Sequence, residues 1–192
     1  MKNKKAAMEM SVGTMVTIVL LMIVLVLGVV LIQKIFSGAT ESVSTINDKV
    51  KGEISGLFTD EKSSVVVLLD SSKVAKVNAG EKDFGVAIGA ETPDGTATSR
   101  ERLQYQIKLD NSEANSCSKL LGEATVSSFI HQKTNTWLNF DQFEGRDSFA
   151  IVLFDIPEAT QKCSQKVLLD VKDTKTGGGS AFAGTFFILE IN

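Results

Sequence analysis

The sequence predicts an α+β chain: a long N-terminal α-helix, transmembrane and then amphipathic, followed by an all-β, Ig-like sandwich head. Three observations predict it. No side chain from Met10 to Ile32 is charged. The apolar residues that follow recur at Ile35, Ala39, Val43, Ile46, Val50, Ile54 and Leu57, in steps of three and four that trace a heptad seam. From Ser64 onward the apolar period falls to two, the signature of strands with one face on a core.

The uncharged run comes first. At 1.5 Å per residue, its length matches the roughly 30 Å of a bilayer's hydrocarbon. Lys2, Lys4 and Lys5 precede it, so the positive-inside rule predicts a single-pass protein with a cytoplasmic N-terminus and an extracellular C-terminal domain. The mean hydropathy of +0.11 is concentrated in this segment. Joined to the seam, Met10 to about Leu57 reads as one helix of about 45 to 50 residues, on the order of 70 Å long. Ser37, Thr40, Glu41, Asp48, Lys49 and Glu53 keep the face opposite the seam wet. The seam suits either a juxtamembrane stalk that dimerises as a coiled coil or a helix whose lower half docks on its own β domain.

Strands follow. Leu103 to Asp110 alternates apolar and polar without a fault. Further candidates are Val65 to Leu69, Val74 to Val77, Phe84 to Ala90, Thr125 to His131, Ser148 to Phe154, Lys166 to Val171 and Thr185 to Ile191. Turn residues separate them, as at Asn78-Ala79-Gly80 and Thr92-Pro93-Asp94-Gly95. Seven or eight short strands at this spacing favour a sandwich over a βαβ fold. Phe149 to Phe154 is apolar on both faces, which places that strand in the middle of a sheet or beneath the amphipathic helix.

Charge and cysteines bound the function. Residues 51–192 carry 15 Lys or Arg against 20 Asp or Glu, a balance that repels phosphate backbones and argues against nucleic acid as a partner. Cys117 and Cys163 are the only cysteines. On the exported side they predict one disulfide closing a loop of about 45 residues, with two free buried thiols as the alternative.

The segment from Lys4 to Val16, Lys-Lys-Ala-Ala-Met-Glu-Met-Ser-Val-Gly-Thr-Met-Val, resembles the start of archaeal type IV pilin-like proteins, archaellins among them, which carry a class III signal peptide. Ser11 to Val16 is similar to the archaellin run Gly-Ile-Gly-Thr-Leu-Ile. The resemblance covers about 30 residues and the overall plan of helix then β head. It implies a basic leader containing Lys4 and Lys5, removed by a leader peptidase at Ala6-Ala7 or, next in order, Ala7-Met8. It also implies that mature subunits bundle their apolar helices in a filament core, with β heads outside. Glu9 stands near the helix start. The resemblance offers it a neighbouring subunit's N-terminal amine, and the helix dipole alone would also favour a carboxylate there.

The chain thus divides into a basic leader at 1–7, a transmembrane or filament-core helix at 8–35, an amphipathic continuation at 36–58 and an extracellular β-sandwich at 63–192.

Catalytic signatures are missing. His131 is the only histidine and reads as a surface side chain beside Gln132 and Lys133. There is no GxGxxG, Walker loop, CxxC or HExxH, and Gly177 to Gly179 reads as a hairpin loop. Asp170, Asp173 and Thr174 match no EF-hand spacing and read as a solvated strand end. Trp137, Phe140 and Phe143 fit either a core plug or a binding loop. No enzyme, cofactor or metal site is expected.

The function predicted is a structural subunit of an archaeal-type surface filament, inserted in the membrane, leader-cleaved and polymerised through its apolar helix. Its partners would be membrane lipid, identical subunits, the leader peptidase and the filament assembly machinery. The alternative is a single-pass anchored extracellular β-sandwich that binds a ligand or partner.

Overall fold

The computed structural model describes residues 13–27, 46–176 and 179–192. The chain divides into two compact units, Met1–Ser42 and Val43–Asn192. In the first, residues 13–27 form helix α1. In the second, helix α2 (Asp48–Glu61) precedes a mostly β body.

The long apolar helix of the sequence reading is overturned. α1 as described has 15 residues, about 22 Å at 1.5 Å per residue, and α2 is a separate helix with its own start. Asn47 is extended at φ −83° and ψ 166°, and its side chain accepts the Val50 N–H, the geometry of an N-cap. A residue in that conformation ends any helix arriving from upstream, so the heptad seam does not run through it. No helix among the described residues is long and apolar enough to cross a membrane. That finding overturns the single-pass placement with its cytoplasmic N-terminus and extracellular domain.

The fold class is accordingly a mostly β, two-sheet fold with a few short helices, in place of a long helix carrying an Ig-like head. β1 (Val65–Val67), β3 (Phe84–Glu91), β7 (Asp147–Phe154) and β6 (Gln142–Glu144) form one sheet in the order β1-β3-β7-β6, antiparallel throughout. The other has the order β2-β9-β8-β4-β5, made of β2 (Val74–Val77), β9 (Ala181–Ile191), β8 (Cys163–Asp173), β4 (Leu103–Asp110) and β5 (Trp137–Asn139). β2 pairs with β9 in parallel, while the remaining ladders of this sheet are antiparallel. The connections β1 to β2 and β2 to β3 therefore switch sheets.

The main core lies between the sheets. Ile88, Val152, Phe154, Leu169, Phe187 and Leu189 are buried there, with the Phe154 and Phe187 rings edge to face at 6.0 Å. A smaller cluster lies on the other face of the four-stranded sheet: Ile54 and Phe58 of α2 pack with Ile46, Val66 and Phe149. Gly89 permits this contact, since a Cβ there would come within 2.3 Å of Ile54 Cγ2. At the end of the sheet Ser55 Oγ–H donates to Asp147 Oδ2 at 2.8 Å. α2 is thus docked on its own β body, and Val50 and Leu57 of the seam lie half-buried against the same cluster.

One predicted strand begins as a helix instead. Of Thr125 to His131, the first three residues lie in α4 (Glu123–Ser127), which follows α3 (Cys117–Leu121) across Gly122 at φ +91°, and the rest form a turn and a single bridge at Ile130. Val126 and Phe129 reach the main core from this turn, and the Cys117–Cys163 disulfide ties α3 to the first residue of β8. Packing overrides the β-branched propensity of Thr125 and Val126.

Candidate functional site

Lys4, Lys5, Ala6, Ala7 and Glu9 lie outside the described residues. Of the apolar segment they precede, the described part is α1. Its large side chains, from Met15 to Leu27, are 50–71% exposed. A helix apolar on all sides belongs in an apolar surround, because leaving such area in water opposes the hydrophobic effect along its whole length. Contiguous apolar exposure of this kind marks an interaction surface. Its candidate chemistry is association.

Two polar clusters of the β body lie near opposite ends of β3. Beyond its C-terminal end, Arg102 lies immediately before β4, only 6% exposed. Its Nη2–H donates to Asp173 Oδ2 at 3.0 Å and to Asp94 Oδ1 at 2.6 Å, and Nη1–H donates to Thr96 Oγ1 at 2.6 Å. Asp173 is fully buried and also accepts from the Lys175 N–H and the Thr176 hydroxyl, each at 2.8 Å. Burial pushes the Asp173 carboxyl up, but the hydrogen bond from Arg102 and these two further donors leave it lowered overall. Asp94 is held well below the carboxylate range, first by Arg102 and then by Thr96. The network pins the loop between β3 and β4 over the end of the core. Asp170, two residues from Lys172, faces outward to Lys108 Nζ at 2.7 Å. Asp170 and Asp173 occupy opposite faces of β8, so they cannot share a cation.

At the N-terminal end of β3, His131 Nε2 lies 3.0 Å from Asp155 Oδ2, and the Asp83 N–H donates to Asp155 Oδ1 at 2.8 Å. That backbone hydrogen bond, then the one from His131, lowers the Asp155 carboxyl. One ligand atom from each of Asp83, His131 and Asp155 can be chosen so that all three lie within 4.8 Å of one another. Strand pairing assembles them: Ile130 bridges Phe154, the His131 N–H donates to Leu153 O at 3.0 Å and the Asp155 N–H to Phe129 O at 2.8 Å. The three positions are far apart in sequence and carry no motif. The single histidine was the only signal, and reading it as a surface residue missed its partners.

The remaining candidates resolve into structure. Phe140 is buried against Tyr105, ring centroids 5.0 Å apart, so it plugs the core. Trp137 lies beneath Lys172 Nζ at 4.7 Å, and Phe143 is exposed on β6. Burial raises the Tyr105 phenol, with the Asp141 carboxylate adding to it. Of the triple glycine only Gly179 is described, at φ +94° in the β8–β9 hairpin. A cleft of roughly 370 Å³ lies between α2 and β7, lined by Lys51, Ser55, Glu144 and Asp147 among others.

No family model matches the chain. No curated protein matches it. Among solved structures, it is similar to the GspB Siglec domain at 13% identity and a TM-score of 0.39, over 67% of this chain and 57% of that one. The chain thus spans little more than half the length of that structure. A PapD-like domain of human CEP192 gives 10% identity and a TM-score of 0.38, over 68% and 84% of the two chains. A family 123 glycoside hydrolase from Clostridium perfringens gives 9% identity and 0.29, over 67% and 27%. Similarities of this size assign neither ancestry nor activity.

Proposed function

We propose that the chain is a structural subunit of an archaeal type IV pilin-like filament, processed at its leader and polymerised through the apolar segment that contains α1. The observation that carries this reading is the exposure of α1 on every side. Such a helix needs an apolar surround, and the same helix of identical subunits supplies one of matching chemistry. The second support is that α2 buries Ile54 and Phe58 against its own sheet, which leaves the apolar surface of α1 for association. The third is the sequence ahead of α1, with Lys4 and Lys5 before Ala6-Ala7, the resemblance on which leader cleavage rests. A leader peptidase and an assembly machinery would be its other partners.

The test joins intact mass with microscopy of the protein purified from its producing cell. Loss of the residues up to Ala6 or Ala7, together with filaments, is the expected outcome. Leu21→Glu should abolish filaments while the Cys117–Cys163 disulfide still forms. A retained leader, or filaments unaffected by Leu21→Glu, would sink the proposal.

A further inference from the structure

We propose that Asp83, His131 and Asp155 form a binding site for a first-row transition dication, Zn²⁺ being the probe of choice, that cross-links three chain segments at one end of the β body. The proposal is independent of the filament reading, because it concerns side chains of the second unit alone. It also departs from the sequence expectation that no metal site exists.

The geometry is that of a site needing little rearrangement. A separation of 3.0 Å between His131 Nε2 and Asp155 Oδ2 is the edge that two ligands, each about 2.1 Å from a common ion, subtend at roughly 90°. The remaining edges involve the Asp83 carboxylate and do not exceed 4.8 Å. A shared ion requires edges below about 4.2 Å, twice the metal–ligand distance, which rotation of the exposed Asp83 side chain provides. The other two ligands are held more firmly. Asp155 is fixed through Oδ1 by the Asp83 N–H, leaving Oδ2 for the ion, and the backbone that carries His131 is fixed by its N–H bond to Leu153 O. Hydrogen bonding of the carboxylate by a backbone donor is the kind of outer support that orients a ligand.

The donor set decides the class of ion. Ca²⁺ and Mg²⁺ take oxygen ligands, usually more than two from the protein, whereas imidazole nitrogen with carboxylate oxygen suits zinc and its neighbours. Three protein ligands at a partly exposed surface leave a coordination position for water, an open site. Lys82 is the cation that acts on Asp155 from nearby, and it opposes a bound dication, so the affinity is that of a modest site.

Because His131 is the only histidine, its ring resonances report on the site without ambiguity. The experiment is a Zn²⁺ titration of the untagged, full-length, ¹⁵N-labelled chain, followed by imidazole and amide NMR. We expect saturable one-to-one binding that shifts the His131 ring signals and the amides of Asp83 and Asp155, with no change on adding Ca²⁺ or Mg²⁺. His131→Gln, Asp155→Asn and Asp83→Asn should each weaken Zn²⁺ binding by about tenfold or more. Asp155→Asn keeps a carbonyl oxygen for the Asp83 N–H. Asp83→Asn keeps a residue that tolerates the φ of +53° found there. Asp170→Asn, on the outer face of β8, should leave binding unchanged. Ring signals that do not move at millimolar Zn²⁺ would overturn the proposal. So would equal affinity in His131→Gln and the parent, with amide spectra showing both folded.

Discussion

In β8 every second side chain is buried from Cys163 to Asp173, whereas in β7 burial runs unbroken through Ser148, Phe149 and Ala150. The two strands are each paired on both sides, so the difference does not come from position in a sheet. It comes from what lies outside. β8 has the core on one face and water on the other, where Lys166 Nζ sits 4.6 Å from the Phe186 ring centre and Lys108 meets Asp170. Lys108, opposite half-buried Leu168, and Lys166, two residues before it, flank it on this face. β7 has the core on one face and α2 on the other, which makes a third layer. A strict period of two reports an open face, and a break in it reports a cover.

That comparison can be broken where its two sides carry most. Arg102→Ala would leave Asp173 buried and unpaired on the inner face of β8, at a cost of about 3–5 kcal/mol. Urea denaturation checks it, and a loss within about 1 kcal/mol would show that water replaces the guanidinium. Phe149→Ala on the covered face of β7 should cost a similar 3–5 kcal/mol or so, as in other buried phenylalanine truncations. Leu168→Ala on the open face of β8 should cost about 1 kcal/mol or less. Equal losses from the two would mean that α2 does not shield its sheet.

Gly89→Val sharpens the same contrast at intermediate size. The new side chain must push α2 outward, which should destabilise by roughly 1–3 kcal/mol and raise amide exchange in Asp48–Glu61 above that in β8. Uniform exchange across both would argue against a local displacement.

Acid should act mainly on the Arg102 end. Asp94 and Asp173 are lowered below their ordinary value of 3.8, so their contribution to stability is complete above about pH 4 and is lost as pH falls through their folded values. Asp155 is lowered too and acts in the same direction at the other end. Asp141, raised by burial, titrates with the opposite sign. Denaturation midpoints taken downward from about pH 5 should therefore fall, and Asp94→Asn should shallow that fall. An unchanged slope would remove Asp94 from the account.

How much was legible follows the same physics. β2 and β4 were readable to the residue, because alternation against one core face is a local property of the sequence. The two-sided apolar run of Phe149 to Phe154 called for a strand in mid-sheet or beneath the helix, and β7 is both, between β3 and β6 and under α2. The start of α2 at Asn47 was not legible, since Ile46 and Val50 continue the seam through a residue whose extended backbone caps a new helix. Phe58, buried beside Ile54, was not assigned to the seam. α4 was misread because the burial of Val126 and the Cys117–Cys163 link outweigh local strand propensity. Short β5 and β6 escaped because three residues hold too little pattern to be seen.

By itself the sequence determined the two-period β body and the apolar, uncharged segment before it, because both are written in local residue order. It also placed two cysteines where a single bridge could close. Only the tertiary structure decided that the apolar residues of α2 turn inward to cover one sheet, that α2 starts at the Asn47 cap, and that Asp83, His131 and Asp155 converge. Those outcomes depend on contacts between residues far apart in the chain, where burial, hydrogen bonding and close approach at Gly89 select among arrangements that local pattern leaves equivalent.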